Sequence, residues 1–319
     1  MMILDRNTRS IIHSKFAHFP DILEKDSILV INNSKVIPAR LMGKRKSGRK
    51  IEILLIRETA FDTWECKVKN SSRTKIGESL ELCEDHLKAE LLEKKASGEC
   101  LLKFHYSGKF YQLLEKYGFA PVPPYIHKAR TEKTERTEDL KQYQTVYAEQ
   151  YGAIAAPTAG LHFSNDILQK IREKGVKIVE LTLHVGLGTF EPIRVDDITE
   201  HKMHTEYYHI SQEAAQKITD AKQLGGKIVS VGTTSARALE AAWTVDGIRS
   251  GEHSTDIFIY PSYQFSVVDQ LLTNFHLPES TLLMLVSALS DKESILKAYQ
   301  QAIEKRYRFY SYGDCMFLR

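Results

Sequence analysis

SNDILQKIREKGVKIVELTLHV (164–185) and SQEAAQKITDAKQLGGKIVSVGTTSARALEAAW (211–243) are the stretches whose rhythm decides the fold class. Each opens on a serine suited to a helix N-cap, Ser164 and Ser211, and runs through a helical segment to a glycine, Gly175 and Gly225, where C-cap glycines belong. Each then passes into VKIVELTLHV or KIVSV, apolar runs of the kind a strand covered on both faces carries. Helix alternating with such strands, and SARALEAAW as the next helix, predict a largely parallel sheet covered by helices.

Outward from there, GAIAA (152–156) and SILVI (27–31) read as further strands, and STLLMLVSALS and ESILKAYQQAIEKRY as two closing helices. Between residue 36 and about 105 the pattern is different: IEILLI, WECKV, SLEL, LKAELL and CLLKFH are short strands punctuated by Gly48, Gly77 and Gly98, which suggests a small barrel. KFYQLLEKY then predicts a helix ended by Gly118, APVPPYI an extended connector, and the stretch from Lys128 to Lys141, with both charges in near balance, a solvated loop or helix face. The expected architecture is α/β: a large α/β domain with a mostly parallel mixed sheet, made of residues 1–40 and 121–319, and a smaller β-barrel domain inserted at 41–120.

A length of 319 residues agrees with two domains, and 42% hydrophobic with 27% charged residues is the balance of a globular protein. The formal net charge of +3 excludes global attraction to nucleic acid, so such a partner has to be held by local basic patches. Cys66, Cys83, Cys100 and Cys315 show no C-x-x-C pairing, which points to reduced thiols. MMILDRNTRS has no signal-peptide core, and no run reaches the ~18 apolar residues of a membrane span; a cytoplasmic protein with no membrane partner is expected.

Several segments carry chemistry. Gly232, Thr233, Thr234 and Ser235 lie between a strand and a helix, where backbone N–H groups favour a carboxylate or phosphate; a plain helix cap explains the same residues equally well. HVGLGTF (184–190) puts two glycines after a strand but is no G-x-G-x-x-G, since the sixth position is Glu191, so dinucleotides lose support. TEHKMHTEYYH (199–209) gathers His201, His204 and His209 beside Glu200 and Glu206 without H-E-x-x-H spacing; no metal is expected, and the histidines and Glu206 stand as candidates for proton transfer or substrate hydrogen bonding. TNFHLPEST (273–281) and YRFYSYGDCM (307–316) mix aromatic rings with Asn274, His276, Arg308, Tyr312 and Asp314, the mixture that stacks and hydrogen-bonds an unstacked base; a packed core uses the same rings. Lys44, Arg45, Lys46, Arg49 and Lys50 of GKRKSGRK form a basic turn able to grip nucleic-acid phosphates or merely to be solvated.

Read together, VPPYI (122–126), YQTVYA (143–148), GAIAAPTAGLHF (152–163), TLHVGLGTFEPIRV (182–195), EHKMHTE (200–206), VGTTSARALE (231–240), LLTNFHLPESTLLMLVSAL (271–289) and YRFYSYGDCM (307–316) closely resemble the S-adenosylmethionine:tRNA ribosyltransferase-isomerase family of queuosine biosynthesis, in order and over nearly the whole chain. The resemblance implies transfer and isomerisation of the ribosyl moiety of S-adenosylmethionine, a cosubstrate, onto 7-aminomethyl-7-deazaguanine at the wobble position of tRNA with a GUN anticodon. Epoxyqueuosine in tRNA, adenine and methionine are the implied products, with no metal and no tightly bound cofactor. The sulfonium acidifies the adjoining 5′ carbon, and His162, His184, His201 and His204 are the imidazoles available to take that proton. Asp314 or a protonated histidine would assist adenine departure, and the GTTS turn with Arg237 would seat the methionine carboxylate. Asn274, His276 and Tyr312 would frame a base, and the basic turn with Lys305, Arg306 and Arg308 would guide the tRNA.

The chain departs from the family pattern in three places and at its start. Family members carry a P-L-x-x-R-D-x-S-R-L segment ahead of the point where this chain begins. Gln142 stands where an arginine is usual, Cys315 where alanine is, and Ser262 replaces the glycine of a P-G-Y turn, which predicts a serine held at positive φ. The rival readings are a conventional RNA methyltransferase, whose glycine-rich first loop is missing, and a tRNA-binding protein without activity. A monomer is expected, because no long exposed apolar stripe is evident.

Overall fold

In the computed structural model every residue is described except 97, 124–132, 187–194, 196 and 202, with the backbone alone for 133–137 and 199. The chain divides into two compact units, one made of Met1–Ser34, Thr145–Gln150 and Ala156–Arg319, the other of Lys35–Gln144 and Tyr151–Ala155.

The larger unit is built on a sheet whose strands are β1 (Met2–Leu4), β2 (Ile11–His13), β3 (Ile28–Asn32), β4 (Lys177–Leu183), β5 (Glu206–Ile210), β6 (Ile228–Val231), β7 (Gly251–Thr255), β8 (Gln270–Asn274) and β9 (Cys315–Leu318). Their order is β7-β5-β4-β3-β6-β8-β9-β1-β2. The centre is parallel, β4 to β3 to β6 to β8. The flanks are antiparallel at β4/β5, β5/β7, β8/β9 and β1/β2. Burial follows the residues: β3, β6, β8 and β9 are buried along their whole length, as runs such as ILVIN and CMFL require. In β5 the sequence EYYHI buries 206, 208 and 210 and turns 207 and 209 to solvent, the alternation of a strand with one wet face.

Helices α1 (Asn165–Glu173), α2 (Gln212–Gln223), α3 (Thr233–Ala242), α4 (Thr281–Leu289) and α5 (Lys292–Glu304) accompany the sheet. The Ser164 hydroxyl accepts the Ile167 amide at 3.3 Å and the Ser211 hydroxyl the Ala214 amide at 3.1 Å, and Gly175 and Gly225 take φ of 90° and 77°, so the expected caps form. One face of the central strands, carrying Leu29, Ile31, Val229, Val231 and Leu272, packs on Ala159, Phe163, Leu168 and Ile171. Two details differ from the sequence reading. α3 begins at Thr233 and ends before Trp243, which enters a two-residue strand, and GAIAA contributes to Gln150–Ala153 in a two-stranded piece outside the main sheet.

The smaller unit holds a closed six-stranded barrel of Arg40–Arg45, Lys50–Ala60, Thr63–Val68, Ser79–Leu82, Leu87–Lys94 and Cys100–Tyr106. Closure removes the sheet edges that six short strands would otherwise expose. A helix at Phe110–Tyr117 follows, and its Phe110 ring packs 5.6 Å from Trp64. Gly118 ends it for a reason the sequence hides: its φ is −72°, and a Cβ there would stand 2.2 Å from the Pro38 carbonyl oxygen, so close approach and not left-handed backbone demands glycine. Of the charged stretch, Lys133–Gln142 is helical and 128–132 lie outside the described residues, as do Pro124, Tyr125 and Ile126 of VPPYI.

Ser262 does take positive φ, 92°. Serine lacks glycine's freedom there and the turn stores roughly 1 kcal/mol of strain. Ser262→Gly is expected to raise the unfolding midpoint by about 1 to 2 °C in a calorimetric scan; an unchanged or lower midpoint would contradict the strain.

Among the described residues no helix is long and apolar enough to cross a membrane. The four cysteines are buried and form no disulfide there, and burial pushes the Cys315 thiol up to about 12, leaving it inert at neutral pH.

Candidate functional site

Parallel strands leave their carboxyl ends along one edge, and loops leaving that edge gather polar groups. Here the edge collects His184 after β4, the turn Gly232–Thr234 after β6, and Asn274 and His276 at and after β8. β9 runs antiparallel to β8 with Asn274 opposite Cys315, so Asp314 and the residues before it reach the same edge. The 3-10 turn Thr158–His162 joins them, since Ala159 lies beside Gly232.

His162 and Asn274 form the centre. The Asn274 side-chain amide donates to His162 Nε2 at 3.3 Å and to the Tyr310 carbonyl at 3.2 Å, which leaves Asn274 Oδ1 buried and without a donor among the described residues. The His162 ring lies 5.4 Å from Phe16. Burial, aided by the N-terminal ammonium and Arg308 and opposed by Asp314, takes the His162 imidazole down to about 4. It is therefore neutral at pH 7, with its Nε2 lone pair facing the Asn274 amide.

His276 sits apart from that pair. Its Nε2 is 2.8 Å from Thr273 Oγ1, its amide donates to the Tyr299 hydroxyl at 2.9 Å, and burial lowers it to about 4. Its side chain is thus committed inside the fold. For Asp314, burial works upward, but the Arg308 amide at 2.8 Å and guanidinium at 3.4 Å outweigh it and hold the carboxyl below its ordinary value. An ionised Asp314 accepts hydrogen bonds at neutral pH; it is no ready acid. Tyr312, between them, is half-buried.

His184 lines a cavity of about 480 Å³ with Thr182, Tyr207, His209, Glu252 and Ser254. Burial lowers its imidazole, and Nδ1 is buried without a partner among the described residues. His201 packs 5.0 Å from Phe258 and is lowered by burial and then by His204, which is exposed. Gly188 and the rest of HVGLGTF beyond Gly186 lie outside the described residues. Among the described residues no three His, Cys, Asp or Glu side chains form a group able to hold a metal ion.

Glu206 and Arg237 are a buried ion pair, each side chain 3% exposed. Glu206 also accepts the Gly186 amide at 3.3 Å, and Arg237 Nε donates to the Ile257 carbonyl at 3.2 Å. The pair thereby ties β5 to α3 and to the loop leaving β4. In the smaller unit the basic turn is partly spent: Arg45 makes two bonds to Glu78 at 2.7 and 2.8 Å, and Lys44 lies 3.2 Å from Asp85. Lys46, Arg49 and Lys50 are exposed.

Sequence reasoning did not single out Phe16, Thr273, Tyr299 or Tyr310 as neighbours of the histidines. Tyr310 contributes a backbone carbonyl, which any residue type supplies, and Phe16 comes from a segment with no motif, so neither left a signal.

A family described as queuosine biosynthesis protein matches residues 1–318. This chain belongs to that family. The chain is 48% identical over 321 residues to the S-adenosylmethionine:tRNA ribosyltransferase-isomerase of Clostridioides difficile (strain 630), covering 100% of this chain and 92% of that one. A crystal structure of S-adenosylmethionine tRNA ribosyltransferase from Thermotoga maritima is similar with a TM-score of 0.54 and 34% identity, over 100% of this chain and 91% of the other. The protein is accordingly an enzyme, of the ribosyltransferase-isomerase class.

The neutral histidines carry a pH signature. His162 and His276 fall from 6.5 in the unfolded chain to about 4 when folded. Between those values the unfolded chain binds more protons, so stability is complete above pH 6.5 and is lost as pH falls towards 4, by roughly 3 kcal/mol for each group. The unfolding midpoint is expected to drop steadily from pH 6.5 to 4.5, and His276→Gln to show a shallower drop; identical slopes would refute the shift at His276.

Proposed function

We propose that the enzyme transfers and isomerises the ribosyl moiety of S-adenosylmethionine onto 7-aminomethyl-7-deazaguanine at the wobble position of tRNA with a GUN anticodon. The products are epoxyqueuosine in tRNA, adenine and methionine. The relatives' names give the cosubstrate, the tRNA and the reaction class. The observation that carries the reading to residues is the meeting of neutral His162, Asn274 and the Gly232–Thr234 turn at the carboxyl edge of the parallel strands. A sulfonium makes its 5′ carbon acidic; loss of that proton needs a neutral base beside a pocket, and His162 has that state. The same carboxyl edge offers ionised Asp314 as acceptor for a cationic aminomethyl group. A base in an anticodon loop is already single-stranded, so splaying it out towards that edge costs little. The cosubstrate is consumed, no tightly bound cofactor enters the scheme, and action as a cytoplasmic monomer belongs to the same reading.

The barrel module, taken as residues 41–120 inserted in a catalytic domain of 1–40 and 121–319, is assigned to tRNA holding through Lys46, Arg49 and Lys50, with Lys305, Arg306 and Arg308 on the other unit. Replacing Lys46, Arg49 and Lys50 together by alanine is expected to raise the KM for tRNA and leave the KM for S-adenosylmethionine unchanged. The salt slope of binding should fall by about 1 for each phosphate that the turn no longer neutralises. An unchanged salt slope would remove the turn from the tRNA path.

The deciding experiment incubates the chain with S-adenosylmethionine and tRNA bearing the deazaguanine, then follows adenine release and the mass of the tRNA nucleoside. Adenine with a nucleoside heavier by the epoxycyclopentyl unit supports the reading. Methyl transfer without adenine would overturn it in favour of a methyltransferase, and tRNA binding with neither product would leave a binding protein.

A further inference from the structure

Four hydroxyls surround the turn at the start of α3, and they divide into two kinds. Ser230 Oγ donates to the Gly232 carbonyl at 3.1 Å and Ser235 Oγ to the Val231 carbonyl at 2.8 Å, so these two close the turn from inside. Thr233 shares the first helical turn with Thr234. Thr234 is 6% exposed, and its Oγ1 is buried with no partner among the described residues. A hydroxyl left so is costly unless something fills its hydrogen-bonding capacity.

That hydroxyl lies at the mouth of the helix. Oγ1 is 3.6 Å from where a Gly232 Cβ would stand, and Gly232, at φ 85°, is an N-cap without a side chain, so no capping oxygen accepts from the first-turn amides. The ten-residue helix places its positive end there. Arg237, three residues on and so on the same side of the helix, is 2% exposed and keeps Nη2 buried with no acceptor among the described residues, its Nη1 being paired with Glu206. Opposite in charge preference is Asn274 Oδ1, a buried acceptor without a donor among the described residues. Val231 pairs with Leu272 in the parallel register, so the turn after Val231 and Asn274 leave adjacent strands at one end.

We infer that the first turn of α3, with Thr234 Oγ1, seats the carboxylate of an α-amino acid moiety whose ammonium is accepted by Asn274 Oδ1. A carboxylate fits better than a phosphate: the charge of Arg237 is already answered by Glu206, so a second negative charge on the ligand would meet no unpaired cation in this group. Donors at one side and an acceptor at the other match a zwitterion and no simple anion. On the proposed cosubstrate reading, which this assignment rests on, the moiety is the methionine end of S-adenosylmethionine.

The test compares two nucleosides by calorimetric titration of the intact chain: S-adenosylhomocysteine, which carries the amino-acid end, and 5′-methylthioadenosine, which lacks it. The wild-type protein is expected to bind the first at least about tenfold more tightly, and Thr234→Val to weaken only that ligand by about tenfold, a charge-assisted bond's worth. Thr234→Ser, which keeps the hydroxyl, is expected to bind as wild type does, with thermal unfolding measured for both variants. Equal binding of the two nucleosides by the wild type, or an unweakened S-adenosylhomocysteine affinity in a folded Thr234→Val, would overturn the seat while leaving the cosubstrate reading in place. Binding of neither nucleoside by the wild type would overturn both.

Discussion

His162→Ala is expected to lower the rate of adenine release on the order of 10³-fold with tRNA and S-adenosylmethionine at saturation, because general base catalysis by a placed imidazole is worth about 10² to 10⁴. The residue is buried at the end of the Thr158–His162 turn and held by Asn274, so the loss should appear in kcat more than in KM. Asn274→Ala is expected to lose part of the same factor, because the imidazole then has no partner fixing its Nε2 edge. Its low proton affinity adds a second readout. Held at about 4, His162 is neutral over the working range, so the kcat profile should stay flat from pH 5.5 to 7.5 where an ordinary histidine would titrate. A step centred near 6.5 that vanishes in His162→Ala would show that the imidazole is exposed to solvent during the reaction and would withdraw this account of its state. Full activity in His162→Ala would exclude it as the base and pass the role to His184, whose imidazole is also lowered by burial.

Arg237→Met is the change expected to cost most in stability. It leaves the Glu206 carboxylate buried without its cation, a penalty of about 3 to 5 kcal/mol, which in a chain of this size corresponds to a fall in unfolding midpoint of roughly 5 to 7 °C. The damage should reach the site as well, since Glu206 also receives the Gly186 amide at the start of the loop after β4. Combining Arg237→Met with Glu206→Leu removes both charges and is expected to recover most of the lost midpoint, although the Gly186 amide then lacks its acceptor. Midpoints of the two single variants and the double variant, measured by calorimetry, decide it. Additive losses in the double variant would mean that the two residues are not coupled.

How much of this could be read from the residues differs from place to place. The strands ILVIN, KIVELTL and IVSV and the helices after Ser164 and Ser211 were legible because local rules agree with the global fold there: caps, glycines and continuous apolar runs all point the same way. The barrel strands were legible for the same reason. GAIAA was misleading, because a short apolar run fits any covered strand and only long-range pairing decides which. Gly118 was recognised as a helix end, but its true requirement, the Pro38 carbonyl 2.2 Å from any Cβ, comes from a residue 80 positions earlier.

Within the candidate site the division is sharper. Sequence motifs named His162, Glu206, Arg237, Asn274 and Asp314, and the family pattern named the class of reaction, since residue types and their order are properties of the chain alone. Pairing and proton affinity are not. That Arg237 is answered by Glu206, that Asn274 turns its amide to His162 and leaves its oxygen open, and that Arg308 holds the Asp314 carboxyl below its ordinary value while burial lowers His162 all depend on which groups are buried together. The sequence by itself determined the list of reactive groups and the elements that carry them; the tertiary structure decided their proton affinities and partners, because desolvation and hydrogen bonding act through space and are blind to separation along the chain.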